Sequence, residues 1–165
     1  MADGATATPS GRALMIGTHR VRGFAKGASM SVTYNADTNA VNMGLDGEGY
    51  YVQQDDDSAT ITVTLLESSE SNDVLSALFL TDKNSAGGLV VPVLIRDTTQ
   101  GGRTIAAAAT AKISKLPDVG WSETGETRVW TIITTKMISF VGGIGVTAEN
   151  PDQVQNAEQA AAAVL

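Results

Sequence analysis

The sequence predicts a mainly β fold, a β-sandwich or partial barrel with one α-helix packed on it. Three observations carry this. Several short runs alternate apolar and polar residues with a period of two, clusters of Gly, Asn and Asp separate them, and one stretch has helical spacing. The chain has 165 residues and no cysteine. Such a length suits a single domain with a real core, since a domain of about 150 residues buries roughly 68–70% of the surface its unfolded chain exposes.

Taken in order, residues 1–13 are small and polar and read as a flexible N-terminal arm, ahead of a β domain over 14–145. Met30–Tyr34 and Val41–Met43 read as strands joined by the turn formers of residues 35–39. A long glycine-rich turn then covers residues 44–52 and carries paired tyrosines, Tyr50 and Tyr51. The clearest strand is Thr60–Leu65, where Ile61, Val63 and Leu65 share one face and Thr60, Thr62 and Thr64 the other. A helix is predicted over about 70–80. Ser71 is its expected cap, Asn72 and Asp73 fall in the first turn, and Val74, Leu75, Leu78 and Phe79 form the apolar stripe.

Residues 90–95 read as a strand in which Pro92 lacks an N–H, so it belongs at an edge or a bulge. Residues 103–113 include four consecutive alanines with helical propensity. The β-branched Thr104, Ile105, Thr110 and Ile113 make this segment a strand. Residues 127–140 place apolar groups on both faces, which requires cover on both sides or a change of face at a bulge near Ile132 and Ile133. A second helix is expected over 151–163 within a C-terminal extension of residues 146–165. Asn150 serves as its cap, Pro151 as its first residue and Gln153 completes a capping box.

Charge excludes some functions. The formal net charge is −7, from 18 acidic and 11 basic residues. Ordinary nucleic-acid binding needs the opposite sign, because Lys and Arg neutralise phosphates. Without cysteine there is no disulfide, Cys-zinc site or thiol catalysis. No apolar run approaches the roughly 20 residues of a membrane helix, and residues 1–6 do not resemble a secretory signal, so no membrane insertion is expected. His19 is the only histidine and has no second strong ligand beside it. The Asp55-Asp56-Asp57 run lacks the alternating ligand spacing of a calcium loop, and reads as an exposed acidic loop. No phosphate-binding loop or nucleophile elbow is present. The chain is thus read as a non-enzyme with no catalytic residue, metal or cofactor.

Surface chemistry says more. Only 18% of the residues are charged, below the roughly 25% of ordinary soluble domains. Faces of Thr, Ser and Ala, carrying Thr60, Thr62, Thr64, Thr104 and Thr110, suit a packed subunit interface or a channel wall better than open solvent. Tyr50 and Tyr51 suit a protein interface, or a strand with one ring buried. Trp121 and Trp130 read as packing anchors rather than ligand platforms.

The order of motifs resembles the tail tube proteins of contractile-tailed phages. The resemblance runs from Asp37-Thr38-Asn39-Ala40-Val41-Asn42-Met43-Gly44 to Asp46-Gly47-Glu48-Gly49 and the strand Ala59–Leu66. It continues through Ser71-Asn72, Leu75 and Leu78, then Pro92–Asp97, Lys115-Leu116-Pro117-Asp118 and Trp130-Thr131. It covers residues 30–142. It implies six copies closing into a ring whose sheets line a central channel, and rings stacking into a tube. The loop of residues 44–58, with Leu45, Asp46, Glu48, Tyr50, Tyr51, Asp55, Asp56 and Asp57, is then the contact between rings or subunits. The implied partners are further copies, the tail sheath, the terminator and the baseplate or initiator proteins, in a virion tail assembled in the host cytoplasm. DNA passes through without specific binding. Six chains of −7 give about −42 per ring, a wall that repels phosphates.

Two other readings remain open at the level of sequence. One is the tube of a phage-like bacteriocin or type VI secretion device. The other is a monomeric carbohydrate-binding β-sandwich using Trp121 and the tyrosine pair.

Overall fold

The computed structural model describes residues 11–27, 29–97 and 103–142, with Gln159, Ala162 and Ala163 in helical conformation near the C-terminus. The rest of the predicted C-terminal helix and most of the N-terminal arm lie outside the described residues. In chain order the strands are β1 (Arg12–Ile16), β2 (His19–Arg20), β3 (Met30–Tyr34), β4 (Asn39–Met43), β5 (Gly49–Gln53) and β6 (Ala59–Leu66). The helix α1 (Ser71–Asn84) follows, then β7 (Val91–Asp97), β8 (Ile105–Lys115), β9 (Thr127–Thr134) and β10 (Ile138–Phe140).

The main sheet is antiparallel throughout, in the order β2-β1-β7-β8-β9-β6-β3, with β10 also paired to β8. It curls around one core and, among the described residues, stays open, ending at β2 and β3. Alternation dictates what it buries. Ala59, Ile61, Val63 and Leu65 of β6 are fully buried, and Trp130 and Ile132 of β9 join them in register. Leu14 and Ile16 of β1, Val93 and Ile95 of β7, and Leu75 of α1 complete the cluster. Each such aliphatic or aromatic side chain stabilises the fold by about 1.5–3 kcal/mol on burial.

The four-alanine run is a strand because of its partners. Val93 lies opposite Ala108 and Ile95 opposite Ala106 on the core face, so large side chains meet small ones and the layer fills without strain. Local helical propensity, worth a few tenths of a kcal/mol per residue, loses to that packing.

Pro92 sits at a bulge within an interior strand. Val91 pairs with Ala111 and Val93 with Ala108, so Ala109 and Thr110 together face Pro92, and its missing N–H breaks no regular ladder bond. Its carbonyl accepts from Gly17 N–H at 2.7 Å. The bulge expected at Ile132 and Ile133 is displaced to the neighbouring strand. β9 runs in unbroken register with β6, whereas Ile113 pairs with Ile132 and Lys115 with Thr131, which leaves Ser114 of β8 as the extra residue. β9 therefore keeps strict alternation, burying Trp130 and Ile132 and exposing Val129 and Ile133. The predicted single run of residues 127–140 is divided into β9 and β10.

Between β2 and β3 the chain crosses from one end of the sheet to the other. Val21 N–H donates to Leu14 C=O of β1, while Leu66 N–H donates to Gly23 C=O and Ala25 N–H to Thr64 C=O of β6. Gly23 enables the crossing at φ +76°, where a Cβ would stand 2.6 Å from the Ser69 side chain.

α1 is one turn longer than predicted and is capped differently. Ser71 is its first residue, not its cap, and it is buried. Its hydroxyl accepts from Arg22 N–H at 2.9 Å and lies 3.0 Å from His19 Nε2, so it ties the crossing segment to the helix. Asn72 accepts from Trp130 Nε1–H at 2.9 Å and donates to Leu66 C=O at 2.9 Å. Near its other end Lys112 of β8 donates to Asp82 at 3.2 Å and to Gly87 C=O. No described helix is long and apolar enough to cross a membrane.

Candidate assembly surfaces

β4 and β5 form a separate two-stranded sheet, projecting between β3 and β6. Their turn is built by Gly44 N–H donating to Glu48 C=O at 2.7 Å, with Gly47 at φ +84°. The base is closed by Gln54 N–H donating to Thr38 C=O and Asn35 N–H to Ser58 C=O. The segment read as a long turn is thus largely strand, and β4 pairs with β5 rather than with β3.

All ten residues of this hairpin except Val52 are exposed. Of the two readings of the tyrosine pair, the strand is present but neither ring is buried in it, since Tyr50 and Tyr51 are 62% and 83% exposed. Register explains the pattern. Val41 lies opposite Tyr51 and Met43 opposite Gly49 on one face, while Asn42 lies opposite Tyr50 on the other and donates to its hydroxyl at 3.1 Å. Leu45, Asp46 and Glu48 stand at the exposed tip.

Asp55 and Asp56 are exposed at the base and Asp57 is half-buried. Asp56 accepts from Ser58 N–H at 2.9 Å, and this bond and a second from the Ser58 side chain hold its carboxyl below the usual 3.8. Asp57 C=O accepts from Met137 N–H. From Gly27 to Asp82 the sequence carries ten acidic residues and no Lys or Arg, so the arm and its base are uniformly negative. Among the described residues no group of three or more His, Asp or Glu is arranged to hold a metal ion.

The threonines read as one class occupy different surfaces. Thr60, Thr62 and Thr64 line the outer face of β6, in register with Thr33 and Ser31 of β3 and with Ile133, Thr131 and Val129 of β9. This face of hydroxyls and short aliphatics carries no charge across three strands. Thr110 instead sits at the β8 bulge, 3.3 Å from the Thr135 hydroxyl, and Thr104 donates to Gly142 C=O at 3.0 Å. Sequence alone did not separate them, because the intervening bulge shifts the parity of β8.

Trp130 is a core anchor as expected. Trp121 is not, being 85% exposed on the segment after β8 beside exposed Leu116 and Val119. That segment is held by buried Arg128, which donates to Gly120 C=O and to Glu67 at 2.8 Å.

Comparison with known proteins gives these surfaces a context. The sequence model of the bacteriophage PhiTE tail tube protein family matches residues 5–142. A curated relative, "Structural protein ORF10" of Pseudomonas phage KPP10, is 34% identical over 128 residues, 76% of this chain and 72% of that protein. The fold is similar to that of the sheath/tube terminator of an extracellular contractile injection system, with TM-score 0.55 and 12% identity over 85% of this chain and 100% of that one. It is also similar to a chain of the sheath-tube complex of such a system, with TM-score 0.54 and 13% identity over 83% and 93%. A third similar fold is the tube-terminating cap of the anti-feeding prophage, with TM-score 0.54 and 10% identity over 86% and 95%. The family match over residues 5–142 and the 34% identical relative together show the family: the chain belongs to the PhiTE-type bacteriophage tail tube proteins.

Proposed function

We propose that this protein is the repeating subunit of a phage tail tube, closing into six-membered rings that stack around a channel for DNA. The observation that carries this reading is the β4–β5 arm. It projects from the sheet, exposes Val41, Met43, Leu45, Tyr50 and Tyr51, and is not hydrogen-bonded to the main sheet. Exposed apolar area of that kind is a cost for a monomer and a contact for an assembly. Leu45, Asp46, Glu48, Tyr50, Tyr51 and Asp55–Asp57 form the contact between copies. The free edge of β3 is the second joint, because pairing with a neighbour satisfies its open N–H and C=O groups.

The uncharged face of Thr60, Thr62 and Thr64 lines the channel. A wall without Lys or Arg in an acidic protein offers phosphates no neutralising charge, so DNA slides past it. The function is passive and needs no catalytic residue or cofactor. Sheath, terminator and baseplate or initiator proteins are the other partners, in a virion tail assembled in the host cytoplasm. A genome-carrying tube is favoured over a bacteriocin or secretion tube because the family and the 34% identical relative are both of phages. The glycan-binding alternative is not favoured: Arg128 ties the Trp121 segment to Glu67, beyond the Leu66 end of β6, whereas the tyrosine arm leaves from the Ala59 end.

The test is to express the full chain alone and examine it by negative-stain microscopy and light scattering. Hollow rings or tubes are expected. A strictly monomeric species at high concentration, also in the presence of a tail-tip extract, would sink the reading.

A further inference from the structure

The outer face of β1, β7, β8 and β10 is apolar where a solvent-facing sheet should be polar. Its side chains follow from register: Met15 lies opposite Leu94, Leu94 opposite Ala107, and Ala107 opposite Ile138. The small Ala107 and Ala109 hollow this face, and the bulge at Pro92 deepens one end. The result is a groove of about 470 Å³ lined by Met15, Pro92, Leu94, Ala107, Ala109 and Ile138. Both faces of these strands are apolar, so the outer one calls for cover.

The groove is also marked by charge. Lys136 lines it, Arg20 lies opposite Met15 on β2, and Arg96 is one pleat beyond Leu94 on β7. All three are exposed, and none forms an ion pair among the described residues. The only carboxylate in β1, β2, β7, β8 or β10 is Asp97, at the far end and in register with Arg12. An apolar hollow rimmed by cations fits a segment that is apolar on one face, acidic at its ends and free of bases. The β4–β5 arm has those properties. Val41, Met43 and Tyr51 share its apolar face, Asp46 and Glu48 stand at one end, and Asp55–Asp57 at the other.

We propose that the β4–β5 arm of one copy lies in the β1–β7–β8–β10 groove of a second copy. Val41, Met43 and Tyr51 fill the hollow, and the terminal carboxylates meet Arg20, Arg96 and Lys136. The inference rests on the reading of the arm as a contact between copies, and it names the surface that receives it. Arm and groove are different patches, so each bound copy leaves one arm and one groove free. Such a head-to-tail contact propagates instead of closing as a two-fold pair. The charges give it direction and make it sensitive to salt.

Because the chain has no cysteine, single thiols report the contact directly. Full-length Met43→Cys and Leu94→Cys are mixed under mild oxidation, with Val41→Cys and Ala109→Cys as a second pair for a shifted register. A disulfide requires Cα atoms within about 7 Å, so only seated arms crosslink efficiently. The mixed disulfide is expected to exceed like pairs several-fold, and to fall several-fold in 1 M salt or with Arg20→Glu and Lys136→Glu together. Absence of mixed disulfide in both pairs would overturn the inference. So would preferential trapping of Leu94→Cys by Ala162→Cys, because Ala162 lines the neighbouring hollow with Arg96 and Phe140, and the groove would then belong to the chain's own C-terminus. Microscopy of the same samples separates the two readings. Tubes without the mixed disulfide leave the tube standing and remove the groove; mixed disulfide without tubes supports the groove and removes the tube.

Discussion

Asn72 and Asp56 illustrate how single polar groups serve different ends in this molecule. Asn72 stands at the start of α1, where its amide joins three elements by accepting from Trp130 and donating to Leu66 and Glu67 carbonyls. Asn72→Ala strands the buried indole N–H, which costs about 1–3 kcal/mol. Urea denaturation followed by tryptophan fluorescence should show a lower midpoint at unchanged slope. Asp56 is on the surface, and its bonds from Ser58 favour the carboxylate. Its folded pKa lies below its unfolded one, so its contribution to stability is complete above the unfolded value and is lost as pH falls through the folded one. The carboxyl carbon of Asp56 should titrate below 3.8 by NMR. Ser58→Ala should raise that midpoint only partway, because the backbone N–H, the larger cause, remains.

Elements divide into those that make the core and one that does not. β6 and β9 bury every second residue in matched register, and their removal would leave no fold. The β4–β5 arm buries none of its side chains and is closed at its own base. Replacing residues 39–53 by a two-residue Asn-Gly turn should therefore leave the melting temperature within a few degrees of the parent, while tube assembly disappears. Calorimetry and negative-stain microscopy on one preparation check both halves. Unfolding of the deletion variant would mean that the arm supports its own domain.

For the whole molecule the useful distinction is between faces. One side of the open sheet packs the core, and its outer surface divides into a hydroxyl face on β3, β6 and β9 and an apolar hollow on β1, β7, β8 and β10. The proposed assembly assigns the first to the channel and the second to the arm of a neighbour. Thr62→Lys places a cation at the centre of the hydroxyl face, where it should leave rings intact while DNA delivery drops at least several-fold, read as infectivity against particle count. Loss of rings in Thr62→Lys would make that face a subunit joint instead.

The sequence by itself determined the β class, the helix that follows β6, most strand positions and the family, because period-two burial, helical spacing and turn chemistry are local. Ile61, Val63 and Leu65 could occupy only one face of a strand, and Pro92 could sit only at an edge or bulge. Tertiary structure decided which. Pro92 became a bulge because β1 and β8 flank β7, and the alanine run became a strand because Val93 and Ile95 lie opposite it. Ser71 looked like a cap by position, yet its hydroxyl is taken by Arg22, 49 residues away in sequence. The same holds for the arm. Its tyrosines were legible as interface candidates, but their pairing with Asn42 and Val41, and the separation of Thr110 from Thr60–Thr64, depend on register between strands. Register is fixed by long-range pairing and by bulges, which no local pattern encodes.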